Sequence, residues 1–215
     1  DIWNLARKLH QPEKFHANPI IRPEHRWENM YVLMWGGPVW DPFEELFKII
    51  YLGTAAQDIS ALGTGAAVTL DETGASGTSG NYSCYATSED GVNWEKPFIG
   101  LYEYDGKLWD KSPIGTDNNI IPSINGHIRG PVYHATEPDP NRRFKAQIYR
   151  DKALYAAASP DCIHWQELDE IPPHDSLDVS ELYYDETEDL FISTIKHRTY
   201  YGRSFFLSTS KDFEN

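Results

Sequence analysis

The hydrophobic and polar positions of this chain alternate in short runs, never in the longer period of an amphipathic helix. Leu46-Phe47-Lys48-Ile49-Ile50-Tyr51, Phe144-Lys145-Ala146-Gln147-Ile148-Tyr149 and Leu190-Phe191-Ile192-Ser193-Thr194-Ile195 are each strand-like, and each follows a turn rich in Asp, Glu, Pro or Asn. Ahead of each lies another short apolar run: Gly37-Pro38-Val39-Trp40-Asp41-Pro42, Gly130-Pro131-Val132-Tyr133-His134 and Ser180-Glu181-Leu182-Tyr183-Tyr184-Asp185. After each comes a third strand closed by one signature: Ser88-Glu89-Asp90-Gly91-Val92-Asn93-Trp94, Ser159-Pro160-Asp161-Cys162-Ile163-His164-Trp165, and Ser210-Lys211-Asp212-Phe213-Glu214-Asn215. The shared Ser-x-Asp predicts a tight turn whose carboxylate accepts backbone N–H groups, and the Trp four residues on predicts a plug between neighbouring sheets.

A unit of strand, turn, strand, connection, strand, Asp turn and Trp strand, repeated three times, predicts four-stranded blades of an all-β propeller. The expected boundaries are blade 1 at 31–97 with an insertion at 55–80, blade 2 at 127–169 and an incomplete blade 3 at 178–215. The insertion, rich in Gly, Ala, Thr and Ser, is expected at the surface, either as a border of a binding cleft or as a disordered excursion. Three blades would leave open sheet edges, so the remaining blades are expected from further sequence or from a partner chain.

Composition narrows the partners. The 215 residues include 7 Trp and 13 Tyr and carry a net charge of −14. Such a surface repels a phosphate backbone, which argues against nucleic acid. Aromatic platforms in an acidic protein suit neutral ligands, sugars above all. No apolar run is long enough to span a membrane. The chain opens at Asp1 without an apolar leader, consistent with a leader removed from a secreted or periplasmic protein. Cys84 and Cys162 fall at different positions of different units and are expected as two free thiols.

In a propeller the innermost strand of each blade lines the funnel. Carboxylates there have a chemical use, because glycosidic cleavage generally needs two, one protonated and one ionised. Glu28, Asp178 and Glu181 are the catalytic candidates. Trp27 and Trp35 are candidate platforms for sugar stacking. Arg129 interrupts an apolar strand start and needs an acidic neighbour or a ligand; His127 precedes it. Lys196-His197-Arg198 reads as a solvated loop or, through His197 and Arg198, as a contact for a substrate carboxylate or sulfate. No zinc-ligand spacing, phosphate-binding Gly loop or Ser-His-Asp signature stands out. No cofactor is expected, and a funnel Ca²⁺ is the one metal kept in view.

Asn18-Pro19-Ile20-Ile21, Val39-Trp40-Asp41-Pro42, Tyr85 to Pro97 and Arg142-Arg143-Phe144-Lys145 together resemble the five-bladed propeller glycosidases, the β-fructosidase and arabinanase superfamily (glycoside hydrolase families 32 and 43), in a bacterial branch of polysaccharide degraders. The resemblance implies three funnel acids, one from each of the first three blades, for which Glu28, Asp178 and Glu181 are the nearest counterparts; Arg129 stands where a blade 2 acid would be. The fructosidase signature Trp-x-Asn-Asp-Pro-Asn is absent. The function implied is a glycoside hydrolase working on a poly- or oligosaccharide, with a non-catalytic sugar-binding propeller as the alternative.

Overall fold

The computed structural model describes residues 8–56, 79–104, 115–122, 126–168, 174–177 and 180–214. Among them the regular structure is β-strand apart from two short 3₁₀ turns, Arg26–Glu28 and Pro140–Arg142, and no helix is long and apolar enough to cross a membrane.

The strands form three antiparallel sheets, one per repeat. In blade 1, β1 (Tyr31–Leu33) and β2 (Val39–Asp41) both pair with β3 (Leu46–Ala56), whose other edge pairs with β4 (Ser79–Ser88). β1 and β2 are thus two halves of one innermost strand, interrupted at 34–38. In blade 2, β5 (His127–Tyr133) pairs with β6 (Phe144–Arg150) and carries a register shift between Arg129 and Val132, so its interruption falls at Gly130-Pro131. β6 pairs with β7 (Ala153–Ser159), which is edged by β8 (Gln166–Glu167) and β9 (His174–Asp175). In blade 3, β10 (Leu182–Asp185), β11 (Leu190–Thr199) and β12 (Gly202–Ser210) follow in order. The N–H of Leu177 donates to Lys196 O, so this innermost strand too has a first half, ahead of its break. The alternating pattern of the three innermost strands therefore carries a shared interruption.

The interruptions are where the blades meet. A Cβ on Gly36 would lie 2.6 Å from Gly130 Cα, and one on Gly130 would lie 3.2 Å from Leu182 N. Both glycines have positive φ, 130° and 55°. Three innermost strands touching in succession at glycine is the geometry of successive propeller blades.

Between blades 1 and 2, Val39, Ile50 and Tyr85 pack against Ile128, Phe144, Ile148 and Cys162. Between blades 2 and 3, Val132 and Ala156 pack against Leu182, Phe191 and Phe213. The repeated Asp turns fold as the spacing predicts. Asp90 Oδ1 accepts from Val92 N (2.8 Å) and Asn93 N (2.7 Å), and Asp161 Oδ1 accepts from Ile163 N and His164 N, both at 2.8 Å. The indoles of Trp94 and Trp165 close their turns by donating to Gly91 O and Cys162 O. The residue after each Asp, whether Gly91, Cys162 or Phe213, takes a left-handed φ near 70°. Both cysteines are free and buried.

The outer edge of each blade differs from the expected single Trp strand. At blade 1 it is a bridge from Thr87 to Glu95 plus a second piece, residues 118–121, bonded to β4 through Tyr85 N to Asn119 O and Ile121 N to Ser83 O. Blade 2 repeats this with β8 and β9. Asn118, Asn119 and Asp175, near blade starts in sequence, therefore edge the preceding blade and do not line a funnel. The core of the 55–80 insertion, 57–78, lies outside the described residues.

Candidate functional site

Three of the candidate residues converge where the innermost strands meet. Arg129 is only 2% exposed, and its guanidinium carbon lies 4.0 Å from the ring centre of Trp35 and 3.9 Å from that of Tyr149. The cation is thus sandwiched between an indole from the break in blade 1 and a phenol from blade 2. Such stacking offsets part of the cost of removing a charge from water, and a planar guanidinium achieves it where an ammonium does not. His127 meets the edge of Trp35 at 6.2 Å. Tyr149 donates its hydroxyl to Leu177 O (2.6 Å), tying the cluster to blade 3. One cluster therefore touches all three blades.

Tyr149 has no counterpart in the sequence reading, although Ile50-Tyr51 and Ile148-Tyr149 look alike. The register separates them. Aligning Phe47 with Phe144 sets Tyr149 level with Leu52, one residue beyond Tyr51. A one-residue offset reverses the face, so Tyr149 points to blade 3 while Tyr51 points away from blade 2.

Glu28 and Trp27 belong to a different neighbourhood, on the face of blade 1 turned away from blade 2. Glu28 is 0% exposed. Its Oε2 accepts from Glu24 N (2.9 Å), His25 N (3.3 Å) and Lys96 Nζ (2.8 Å), and its Oε1 from the Tyr51 hydroxyl. Burial pushes the Tyr51 hydroxyl upward, with the neighbouring Cys84 and Glu28 adding to the effect, so Tyr51 stays protonated as a donor. Asn119 completes the network, donating to Tyr51 Oη (2.7 Å) and accepting from Trp27 Nε1 (2.8 Å). Four donors satisfy this buried carboxylate, an arrangement that suits a structural role as a buried, paired charge. Trp27 is 3% exposed, stacked on His25 and edged by Tyr104, which leaves no face for a sugar.

Glu181 sits at the break in blade 3. Its backbone N–H donates to Thr194 Oγ1 (2.8 Å), and its carboxylate accepts from the Tyr183 hydroxyl, which that bond holds above the ordinary phenol range. It is partly exposed, as a reacting carboxylate must be. Asp178 lies outside the described residues. His197 is half-buried on β11 with its ring edge against Phe206 (5.8 Å), close enough to His174 to help burial lower the pKa of that histidine. Arg198 is exposed, directly opposite Arg203.

A cavity of about 40 Å³ between blades 2 and 3 is lined by Gln147, His174, Leu182, Phe191 and Ser193. Gln147 Nε2 donates to Ser193 Oγ (2.7 Å) while its Oε1 has no partner. That space suits about three or four waters, at roughly 10–15 Å³ each, and is too small for a sugar ring. Among the described residues, no group of three or more His, Cys, Asp or Glu is placed to hold a metal ion.

No family model matches the chain, and no curated protein matches it in sequence. Among solved structures, the chain is similar to fructofuranosidases. A fructofuranosidase from Schwanniomyces occidentalis complexed with fructose aligns at TM-score 0.47 and 14% identity over 87% of this chain and 33% of that one. A GH32 β-fructofuranosidase from Bombyx mori aligns at 0.45 and 15% identity over 85% of this chain and 35% of that one. A glycosyl hydrolase from Bacteroides ovatus aligns at 0.46 and 13% identity over 93% of this chain and 55% of that one. The chain thus spans a third to just over half the length of these structures. The blade assignment stands on the three sheets and their shared interruption, independently of these overlaps.

Proposed function

We propose that this chain forms part of a glycoside hydrolase whose sugar-binding face lies at the end of the blades where the innermost strands begin. The observation that supports this is the convergence of Trp35, His127, Arg129 and Tyr149, with Leu177 of the third blade, at one point. The partly exposed Trp35 indole and His127 imidazole offer a sugar an apolar surface and a polar ring, and the buried Arg129 guanidinium between Trp35 and Tyr149 fixes their setting. In this reading Glu181, at the break in blade 3, and Asp178, three residues before it in the sequence, supply the acid and the base or nucleophile. The setting proposed is secreted or periplasmic, with the remaining blades supplied by further sequence or a partner chain.

The test is turnover on a glycan panel by the whole protein and by Asp178→Asn and Glu181→Gln. Loss of product release by at least a hundredfold in one or both is expected. Undiminished turnover in both variants would remove the catalytic assignment. The structural engagement of Glu28 favours a second reading, a sugar-binding propeller without chemistry. Binding to the panel with no product from the wild-type protein decides for it.

A further inference from the structure

The antiparallel registers place the turn between the second and third strands of each blade at the end where the innermost strand begins. Tyr31 pairs with Thr54, His127 pairs with Tyr149, and Leu177 N bonds Lys196 O. The β11/β12 hairpin therefore stands at the same end as the Arg129 cluster. It closes with Thr199 opposite Gly202, leaving Tyr200 and Tyr201 at its tip, 95% and 92% exposed, ring centres 5.2 Å apart and perpendicular.

One step below the tip, Arg198 lies directly opposite Arg203. Like charges in that arrangement destabilise a sheet, and among the described residues neither arginine has a hydrogen-bond or ion-pair partner. The chain as a whole carries a net charge of −14, so a general excess of cations does not explain the pair. Acidic groups concentrate at the opposite end of the blades, in Asp41, Glu44, Asp161, Asp185, Asp189 and Asp212. Two solvent-facing phenols beside a cross-strand pair of arginines match one ligand chemistry. A sugar ring stacks on tyrosine, and an anionic substituent takes the fork of arginine.

We propose that the β11/β12 tip is a subsite for an anionic polysaccharide, one whose sugars carry carboxylate or sulfate groups. This rests on the reading of the near end of the blades as a carbohydrate face and adds the charge of the ligand. The test is binding of the whole protein, by titration calorimetry at low and high salt, to polygalacturonate, chondroitin sulfate, neutral inulin, neutral arabinan and single-stranded DNA. The proteins compared are wild type, the double variant Arg198→Gln with Arg203→Gln, and Tyr200→Ala with Tyr201→Ala. Expected are at least tenfold tighter binding to one acidic glycan than to either neutral one, weakening with salt, and a tenfold loss in each variant with the melting temperature unchanged. The carboxylated and sulfated arms distinguish the two kinds of anion. Binding to neutral glycans that the arginine variant retains would overturn the inference while leaving the carbohydrate face standing. Absence of any glycan binding would overturn both. Equal affinity for DNA would reduce the pair to a non-selective cationic patch and overturn the subsite.

Discussion

At the end of the blades where the innermost strands stop, the Asp turns and buried Lys48 are answered by polar groups from the chain. Asp161 accepts two backbone N–H bonds and the His164 ring, and buried Lys48 donates to Asp41 (2.7 Å), Glu44 (2.9 Å) and Asp161 O (3.2 Å), linking blade 1 to the turn of blade 2. At the end where the strands begin, Arg129 is held between rings, Arg198 faces Arg203, and two tyrosines stand in solvent. The first arrangement spends polar groups on stability, whereas the second buries one cation between rings and leaves the side chains of the hairpin tip in solvent. The contrast teaches that in this chain the repeated residues hold the blades, and the proposed ligand face is built from residues outside the repeat.

The largest effect is expected at the contact that makes the blades neighbours. Gly36→Ala drives a Cβ to 2.6 Å from Gly130 Cα in a left-handed backbone, whereas Gly37→Ala meets nothing within 4 Å. The first should cost about 4 kcal/mol or more in urea unfolding and the second about 1 kcal/mol or less. Equal losses would mean that the inner strands do not meet there.

Next is Glu28→Gln, which removes the buried carboxylate from Lys96 and leaves only the exposed Glu24, at 3.2 Å, as its charge partner. A loss of about 3 kcal/mol is expected from calorimetric melting, as for other broken buried pairs. A fully stable variant with abolished turnover would instead return Glu28 to the catalytic set.

The Asp turns should give a smaller, pH-dependent effect. Burial alone would raise the Asp161 carboxyl, but the N–H and ring of His164 and the N–H of Ile163 outweigh it and hold the group below its ordinary value. The resulting stability is present above the unfolded-state carboxyl pKa, about 4, and is lost as pH falls through the lower folded value. Asp161→Asn should therefore unfold about 1–2 kcal/mol more readily at pH 7, with a shallower dependence of the melting temperature below pH 4. An unchanged acid profile would show that the turn carboxylate contributes nothing. The smallest effect is at the hairpin tip, where Tyr200→Ala should alter stability by no more than about 0.5 kcal/mol because the ring is in solvent; a larger loss in thermal melting would mean that the tip is structural.

The blades were legible because their signals are local. Ser-x-Asp followed by Trp closes a hydrogen-bonded turn within seven residues, and the alternating strands on either side need no distant partner to be recognised. Arg129 was noticeable for a related reason, since a cation interrupts an apolar strand start. The burial of Glu28 and Trp27 was not legible because their partners, Lys96 and Asn119, are 68 and 92 residues away. The pieces at 118–121 and β9 were missed because a few residues are too short for periodicity to declare. A signal for the blade contacts was present in Gly36-Gly37-Pro38 and Gly130-Pro131, where the repeat keeps a glycine that an ordinary strand avoids.

The central claim is that ligand contact occurs where the innermost strands begin and meet. Hydrogen–deuterium exchange of the whole protein, with and without a saturating oligosaccharide chosen from the glycan panel, tests it most directly. New protection is expected in the stretches holding Trp35, His127–Arg129 and Tyr149, with the Ser88–Trp94 and Ser159–Trp165 turns unchanged. Protection confined to those turns, with the Arg129 cluster unaffected, would contradict the account.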